Sequence, residues 1–147
     1  MSNQRSKYGV DISPRGRIER TYKGVTYDSK TEMLFYIEKI EPMLGRTIKS
    51  CERQVPFVLQ EGFTNCDGKR VQAITYIADF VITMSDGRRI VYDVKGGVID
   101  PVAILKRKLF WKRYPEEHLV FICRNMKYGG WIPYEILQEK KRAERRA

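Results

Sequence analysis

Two aspartates and a lysine in neighbouring strand-like segments are the residues of this sequence best suited to chemistry. Asp79 lies inside the apolar run AITYIADFVITM, and Asp93 and Lys95 lie in the run RRIVYDVKGG that follows it. Carboxylates bind hard divalent cations through oxygen, and a neighbouring ammonium group can stabilise developing negative charge. The two segments must therefore be aligned so that these three side chains meet.

Other kinds of site have little support. His118 is the only histidine, so a Cys/His zinc site, a Ser-His-Asp triad or a histidine-based nuclease is hard to assemble. The sequence contains neither GxxxxGK[ST] nor GxGxxG, the common phosphate-binding loops. Cys51, Cys66 and Cys123 are widely spaced and odd in number, which indicates reduced thiols and a cytoplasmic protein.

The apolar alternation of the two segments predicts a β-hairpin. Pairing their apolar faces sets Ile82 against Ile90 and Phe80 against Tyr92, with Ser85-Asp86-Gly87 as a three-residue loop. In this register the even positions of the first strand share one face. Asp79 then lies directly opposite Asp93 on the other face, with Lys95 on the same side.

Opposed carboxylates repel each other, so this register calls for a positive group between them. Mg²⁺ fits the ligand set, and Mn²⁺ can replace it. The alternative is that Asp79 and Asp93 are solvated residues on an open sheet face. The neighbours Ile77, Val81 and Val91 share that face and favour a partly covered site.

The order of elements predicts an α/β fold with one domain at residues 24–124. Residues 1–23 are polar and basic and predict a flexible arm, and residues 125–147 predict a basic, helical C-terminal extension. Ser29 and Glu32 have capping-box spacing at the start of a first helix. Its apolar stripe comprises Met33, Tyr36, Ile37, Ile40, Met43 and Leu44.

Four motifs in this order resemble a known superfamily. Asp79 with Asp93-Val94-Lys95 resembles the PD-(D/E)xK nucleases, with Ala78 in place of the usual proline, and the element order is similar to their αβββαβ core. Together with YDSKTEMLFY and QVPFVL, these motifs resemble small phage and prophage endonuclease-like proteins related to Holliday junction resolvases. The resemblance covers about residues 20–123 and implies a restriction-endonuclease-like fold with a central mixed sheet flanked by helices.

The resemblance also implies roles for particular residues. Asp79, Asp93 and the carbonyl of Val94 would be metal ligands, and Lys95 would orient the attacking water and stabilise the phosphate. Glu32 would complete the metal site, although a plain capping-box role remains open. Gln54 matches a polar residue bordering such sites, with an ordinary surface glutamine as the alternative.

A second helix, roughly residues 101–114, is the expected DNA contact. It carries Lys106, Lys108 and Lys112 among other basic residues, and it is apolar on two sides, which is typical of a helix packed between two partners. Lys106 lies at the edge of the sheet-facing side, where related nucleases place a basic residue near the scissile phosphate. A solvated lysine is the alternative.

Charge and length agree with a single DNA-binding domain. The chain has 147 residues with 28 Lys and Arg against 18 Asp and Glu, a formal charge of +10. This excess indicates a polyanionic partner, with a basic domain lacking one as the alternative. No apolar run approaches the length of a membrane span, and the N-terminus does not resemble a secretory signal.

The residues by themselves predict an acidic metal site beside a lysine on a basic domain, and the resemblance implies that this domain is a Mg²⁺-dependent DNA endonuclease. Branched DNA, such as a four-way junction in phage recombination, is the expected substrate, and paired cuts in a symmetric junction favour a homodimer. The alternatives are a DNA-binding or assembly protein that keeps the fold without cleaving, and a nicking subunit of a larger complex.

Overall fold

The computed structural model describes residues 9–147, and the chain divides into two compact units, Met1–Met43 and Leu44–Ala147. The first unit is built from short helices and a small hairpin. Its elements are α1 (Pro14–Glu19), β1 (Thr21–Tyr22), β2 (Val25–Thr26), α2 (Lys30–Phe35), a π-helical turn (Tyr36–Ile40) and a 3₁₀ turn (Glu41–Met43).

The segment predicted as a flexible arm contains regular structure in its described part. Ser13 caps α1 by accepting a hydrogen bond from the Gly16 N–H at 3.1 Å, and Pro14 occupies the first turn, where no backbone donor is needed. Residues 1–8, with Arg5 and Lys7, lie outside the described residues.

Helix α2 begins where the capping spacing predicts. The Glu32 N–H donates to Ser29 Oγ at 3.0 Å, and the helix buries Met33 as expected. Beyond α2 the predicted stripe holds only in part: Ile40 is fully buried, but Leu44 is 36% exposed, and the π-helical turn takes more residues per turn than an α-helix. Phe35, which was not part of the predicted stripe, is buried, and Tyr36 is only partly buried.

The second unit is an α/β structure with a central five-stranded mixed sheet flanked by helices, in the strand order β3-β6-β7-β8-β9. This architecture confirms the predicted fold class and is consistent with a restriction-endonuclease-like core. Its elements are β3 (Ile48–Gln60), β4 (Phe63–Thr64), β5 (Arg70–Val71), β6 (Ile74–Met84), β7 (Arg89–Lys95), α3 (Pro101–Arg113), β8 (Leu119–Asn125), β9 (Gly130–Pro133) and α4 (Tyr134–Arg146). Strands β7 and β8 are parallel because α3 connects them as a crossover, and the other neighbours in this sheet are antiparallel.

The β6–β7 hairpin has the predicted register. Phe80 pairs with Tyr92 and Ile82 with Ile90, and the Met84 N–H donates to the Arg88 carbonyl at 2.7 Å across a three-residue loop. Gly87 has φ +91°, a backbone conformation that residues other than glycine rarely adopt. The apolar alternation therefore selected the correct pairing.

Helix α3 packs on the sheet with one side only. Phe110 is fully buried, and its ring meets that of Phe57 edge-to-face at 5.1 Å between centroids. Val102 and Leu105 are 56% and 59% exposed, so the second apolar side of α3 has no cover among the described residues. The prediction of a helix packed on both sides is not met within residues 9–147.

The C-terminal extension contains the predicted helix, preceded by an edge strand. Leu137 of α4 packs against Cys123 of β8 and Ile132 of β9. Among the helices of residues 9–147, none has the length and apolar character needed to cross a membrane.

Candidate functional site

Strands β6 and β7 separate at the position of the two aspartates. Their ladder runs from the hairpin loop to the pair Phe80–Tyr92, and Asp79 and Asp93 are the next residue on each strand. Beyond this point β6 stays paired with β3, and β7 stays paired with β8. The carboxylates therefore lie at a fork between the strands, rather than facing each other as a ladder pair, which corrects the predicted direct opposition.

Asp79 takes the place of a backbone acceptor at the fork. Alternate pairs of an antiparallel ladder are hydrogen-bonded, and counting from Met84–Arg88 the Val94 N–H should donate to the Ala78 carbonyl. It donates instead to Asp79 Oδ2 at 2.8 Å. This contact orients the Asp79 carboxylate and satisfies the amide that the diverging strands leave without a ladder partner.

Asp93 is a buried carboxylate, 6% exposed, with two donors. The Tyr76 hydroxyl donates to Asp93 Oδ2 at 2.6 Å, and Lys95 Nζ lies 3.1 Å from the same oxygen. Burial raises the pKa of Tyr76, and the negative charges of Asp93 and Asp79 raise it further. Because its pKa is raised above the ordinary value for tyrosine, the Tyr76 hydroxyl keeps its proton at neutral pH and donates it to Asp93.

Lys95 lies on the same side of the sheet as Asp93, as predicted. In the parallel register Asp93 is level with Phe121 and Lys95 with Cys123. The Lys95 ammonium lies 5.0 Å from the centroid of the Phe121 ring, a cation–π distance, and its side chain is 21% exposed. Lys95 therefore pairs with a buried carboxylate while part of its own side chain is exposed to solvent.

The strand pair β3–β6 is distorted beside Asp79. The pairs Arg53–Phe80 and Val55–Ala78 flank the level of Gln54 and Asp79, and Gln54 has φ +52°. A left-handed backbone costs a residue other than glycine about 1–2 kcal/mol. Such an outlier beside a carboxylate is typical of functional sites. Gln54 is exposed, and its predicted contact with substrate stays a prediction.

The distortion also changes which residues of β6 share a face. One core cluster contains Tyr76 and Ala78 together with Val81, although positions three apart on a regular strand point to opposite faces. The expectation that all even positions of β6 form one face is therefore wrong across Asp79. Ile77, expected to help cover the aspartates, is 55% exposed.

Glu32 belongs to the first unit. It is the third residue of α2, is 2% exposed, and has a carboxylate oxygen within 4.8 Å of one from Asp28. The Ser29 contact shows that its backbone takes part in capping, as the simpler interpretation requires. Its role as a metal ligand stays a prediction from the resemblance.

The basic residues of α3 have different surroundings. Lys106 Nζ donates to the Thr75 carbonyl at 2.9 Å and so links α3 to β6, and one of its three N–H bonds is committed to this contact. Arg107 forms an ion pair with Glu135 and lies over the Phe121 ring. Lys108 and Lys112 are exposed, as a contact with phosphates requires. Binding of substrate by Lys106, Lys108 and Lys112 stays a prediction.

Sequence reasoning did not find Tyr76 and Phe121 as members of the site. Both occupy apolar positions in strands and are 4% and 1% exposed, which is typical of ordinary core residues. The signal for Tyr76 was the hydroxyl itself, since a buried tyrosine usually finds a hydrogen-bond partner. That partner, Asp93, could be identified only from the structure.

The donor set fits a hard divalent cation in its chemistry. Each of the two carboxylates is held through one oxygen, Asp93 by the Tyr76 hydroxyl at 2.6 Å and Asp79 by the Val94 N–H at 2.8 Å. Metal-binding carboxylates are commonly oriented in this way by neighbouring hydrogen bonds. The positive charge beside Asp93 in the structure is the Lys95 ammonium, which a bound cation would have to accommodate.

The fold and the site together define an α/β protein with a restriction-endonuclease-like core and an acidic fork beside a lysine. The sequence model of a family described as "Protein of unknown function (DUF1064)" matches residues 6–130. The chain therefore belongs to this family. A search of the curated proteins finds no match.

Proposed function

We propose that the protein is a divalent-metal-dependent DNA endonuclease that hydrolyses phosphodiester bonds. The fork carries this proposal, because it holds Asp79, Asp93 and Lys95 where two strands separate, with Lys95 Nζ 3.1 Å from Asp93 Oδ2. Burying a carboxylate costs stability unless it is paired or binds a metal ion, and Asp93 is 6% exposed. Mg²⁺ is the proposed cation, with Mn²⁺ as its substitute.

Asp79, Asp93 and the Val94 carbonyl would hold the cation. A divalent cation supplies Lewis acidity toward the phosphate and makes water a better nucleophile at neutral pH. Val94 would serve the site through both of its backbone groups. Its N–H donates to Asp79 Oδ2, and its carbonyl is a proposed ligand of the cation. Lys95 stabilises charge on the phosphate oxygens and orients the attacking water.

The proposed substrate is DNA of branched structure, bound mainly through phosphates. The formal charge of +10 and the exposed Lys108 and Lys112 favour contacts that do not depend on sequence. The protein would act as a homodimer that cuts a four-way junction according to its structure. The three cysteines are all free, which favours a cytoplasmic site of action.

A DNA-binding protein without nuclease activity is the second candidate. The Asp93–Lys95 ion pair favours it, because the lysine neutralises the carboxylate that the nuclease needs for its cation. The two candidates differ in whether the fork binds a divalent cation. Metal binding and cleavage are therefore the measurements that separate them.

The test is a panel of linear, flapped, forked and four-way DNA substrates with Mg²⁺, Mn²⁺ or Ca²⁺. We expect cleavage of the four-way junction in Mg²⁺ or Mn²⁺ and binding alone in Ca²⁺. Asp79→Asn and Asp93→Asn should abolish cutting and leave binding intact at moderate salt. Asp86→Asn is the matched control, because Asp86 is an exposed aspartate of the hairpin loop that pairs with Arg88. Intact DNA in both active metals, with binding of the junction retained, would favour the second candidate and contradict the nuclease.

Glu32 has a separate test, because its place in the site comes from the resemblance alone. Glu32→Gln should lower cleavage at least 100-fold if the carboxylate completes the site, since single catalytic acids and bases contribute about 10²–10⁴-fold. Glu38→Gln changes an exposed glutamate of the same unit and should cut at the wild-type rate. Full activity of a folded Glu32→Gln variant would show that Glu32 serves only at the helix cap.

A further inference from the structure

We propose that Tyr76 is a positioning residue, whose hydroxyl fixes the Asp93 carboxylate in the orientation that binds the cation. This inference rests on the proposed function and extends it to a residue outside the acidic and basic set. Tyr76 is 4% exposed, and its hydroxyl lies 2.6 Å from Asp93 Oδ2. This distance is that of a charge-assisted O–H···O⁻ bond, one of the stronger hydrogen bonds in proteins.

The Tyr76 ring is held on several sides, so its hydroxyl has a defined position. Tyr76 pairs with Phe57 across β3–β6, and its ring centroid is 6.5 Å from that of Phe57 and 5.7 Å from that of Phe110. The hydroxyl cannot follow Asp93 if the carboxylate rotates. A fixed donor therefore selects one carboxylate rotamer, as partners outside the ligand shell do at metal sites.

The hydroxyl also acts against the Asp93–Lys95 ion pair. Tyr76 and Lys95 both bind Oδ2, so they share one oxygen of the carboxylate. Without the hydroxyl, the Lys95 ammonium would be left beside that oxygen and would draw the carboxylate toward itself. Tyr76 therefore holds Asp93 in the orientation that binds the cation while Lys95 stays beside the carboxylate.

Tyr76→Phe and Tyr114→Phe form a matched pair of variants. Tyr114 also lies against the core beside Phe57 and Phe110, and its hydroxyl donates to the Val58 carbonyl at 2.8 Å. Each substitution removes one hydroxyl hydrogen bond from the same packed region and keeps the ring. A purely structural role predicts similar behaviour, and only the Tyr76 hydroxyl touches the fork.

The primary measurement is Mn²⁺ binding by titration calorimetry without DNA. We expect Tyr76→Phe to raise the Kd for Mn²⁺ about 10- to 100-fold, the usual effect of losing a partner that orients a metal ligand. Tyr114→Phe should bind Mn²⁺ as the wild type does. In cleavage assays Tyr76→Phe should need more Mn²⁺ for half-maximal rate, with DNA binding in Ca²⁺ unchanged.

A double-variant cycle shows whether Tyr76 acts through Asp93. In the Asp93→Asn background, adding Tyr76→Phe should change Mn²⁺ binding by less than twofold, because the carboxylate that Tyr76 orients is already gone. An unchanged Mn²⁺ Kd in folded Tyr76→Phe would overturn the positioning role while the nuclease proposal stands. A wild-type protein that neither binds Mn²⁺ nor cuts DNA would overturn the nuclease proposal instead.

Discussion

Replacing Lys95 by methionine should destabilise the protein more than neutralising its partner Asp93. Lys95→Met leaves a carboxylate that is 6% exposed without its cation. Removing one partner of a buried ion pair costs about 3–5 kcal/mol. The Tyr76 hydroxyl remains on Asp93 and the Lys95 side chain is 21% exposed, so we expect the lower end, about 3 kcal/mol.

The companion change Asp93→Asn should cost only about 1 kcal/mol, the net contribution of a typical hydrogen bond. The amide oxygen still accepts from Tyr76, and the freed lysine can reach water. The double variant Lys95→Met/Asp93→Asn should therefore be more stable than Lys95→Met alone. This reversal is the signature of an unpaired buried charge, since an ordinary loss of contacts would add up.

The assay is urea unfolding followed by far-UV circular dichroism at pH 7 with EDTA. Lys112→Met is the matched control, because Lys112 is an exposed lysine of α3, and it should change stability by less than about 0.5 kcal/mol. Adding Mg²⁺ should restore more stability to Lys95→Met than to the wild type, because the cation then meets no competing ammonium. Equal losses in Lys95→Met and Asp93→Asn would refute the reasoning.

Three further predictions concern local structure. Gly87→Ala should cost at least about 1 kcal/mol, because φ +91° is strained for alanine, whereas Gly96→Ala meets no atom within 4 Å and should be nearly neutral in the same unfolding assay. Iodoacetamide at pH 8 should label exposed Cys66 well before Cys51 by mass spectrometry. Burial raises the pKa of Cys51 to about 11, so only about one Cys51 thiol in a thousand is ionised at pH 8. The rate of Cys51 alkylation should therefore rise about tenfold for each unit of pH. Gln54→Gly should raise stability by up to about 1 kcal/mol by relieving φ +52°, and a loss of stability would mean that side-chain contacts of Gln54 outweigh the strain.

The β6–β7 hairpin and the side of the sheet on which Lys95 lies could be predicted because each depends on a short-range pattern. A period of two in β6 and β7 fixes the register, and the same alternation places Lys95 on the side of Asp93, which lies two residues earlier on β7. The crossover from β7 to β8 follows in the same way from a helix between two apolar runs. These features need no knowledge of how distant parts of the chain pack.

The details that sequence reasoning missed arise where strands stop being regular. The distortion at Gln54 lies on β3, a strand whose pairing with β6 is not local, so no pattern in β6 announces it. Tyr76 became part of the site because that distortion moves its side chain to the face of Asp93. The solvent-facing side of α3 was ambiguous, since apolar residues occur on both sides of this helix.

The fork itself has an electrostatic cause that connects these observations. A continuing ladder would set the β-carbons of Asp79 and Asp93 about 5 Å apart, and two negative charges at that separation repel by about 3 kcal/mol at an effective dielectric constant of about 20. Ending the ladder gives up one backbone hydrogen bond worth about 1 kcal/mol, and even that donor, the Val94 N–H, is recovered by Asp79. Divergence is therefore the favoured outcome for this pair of residues. The same divergence opens the space that a cation at Asp79 and Asp93 would need, so the repulsion that breaks the ladder also shapes the proposed site.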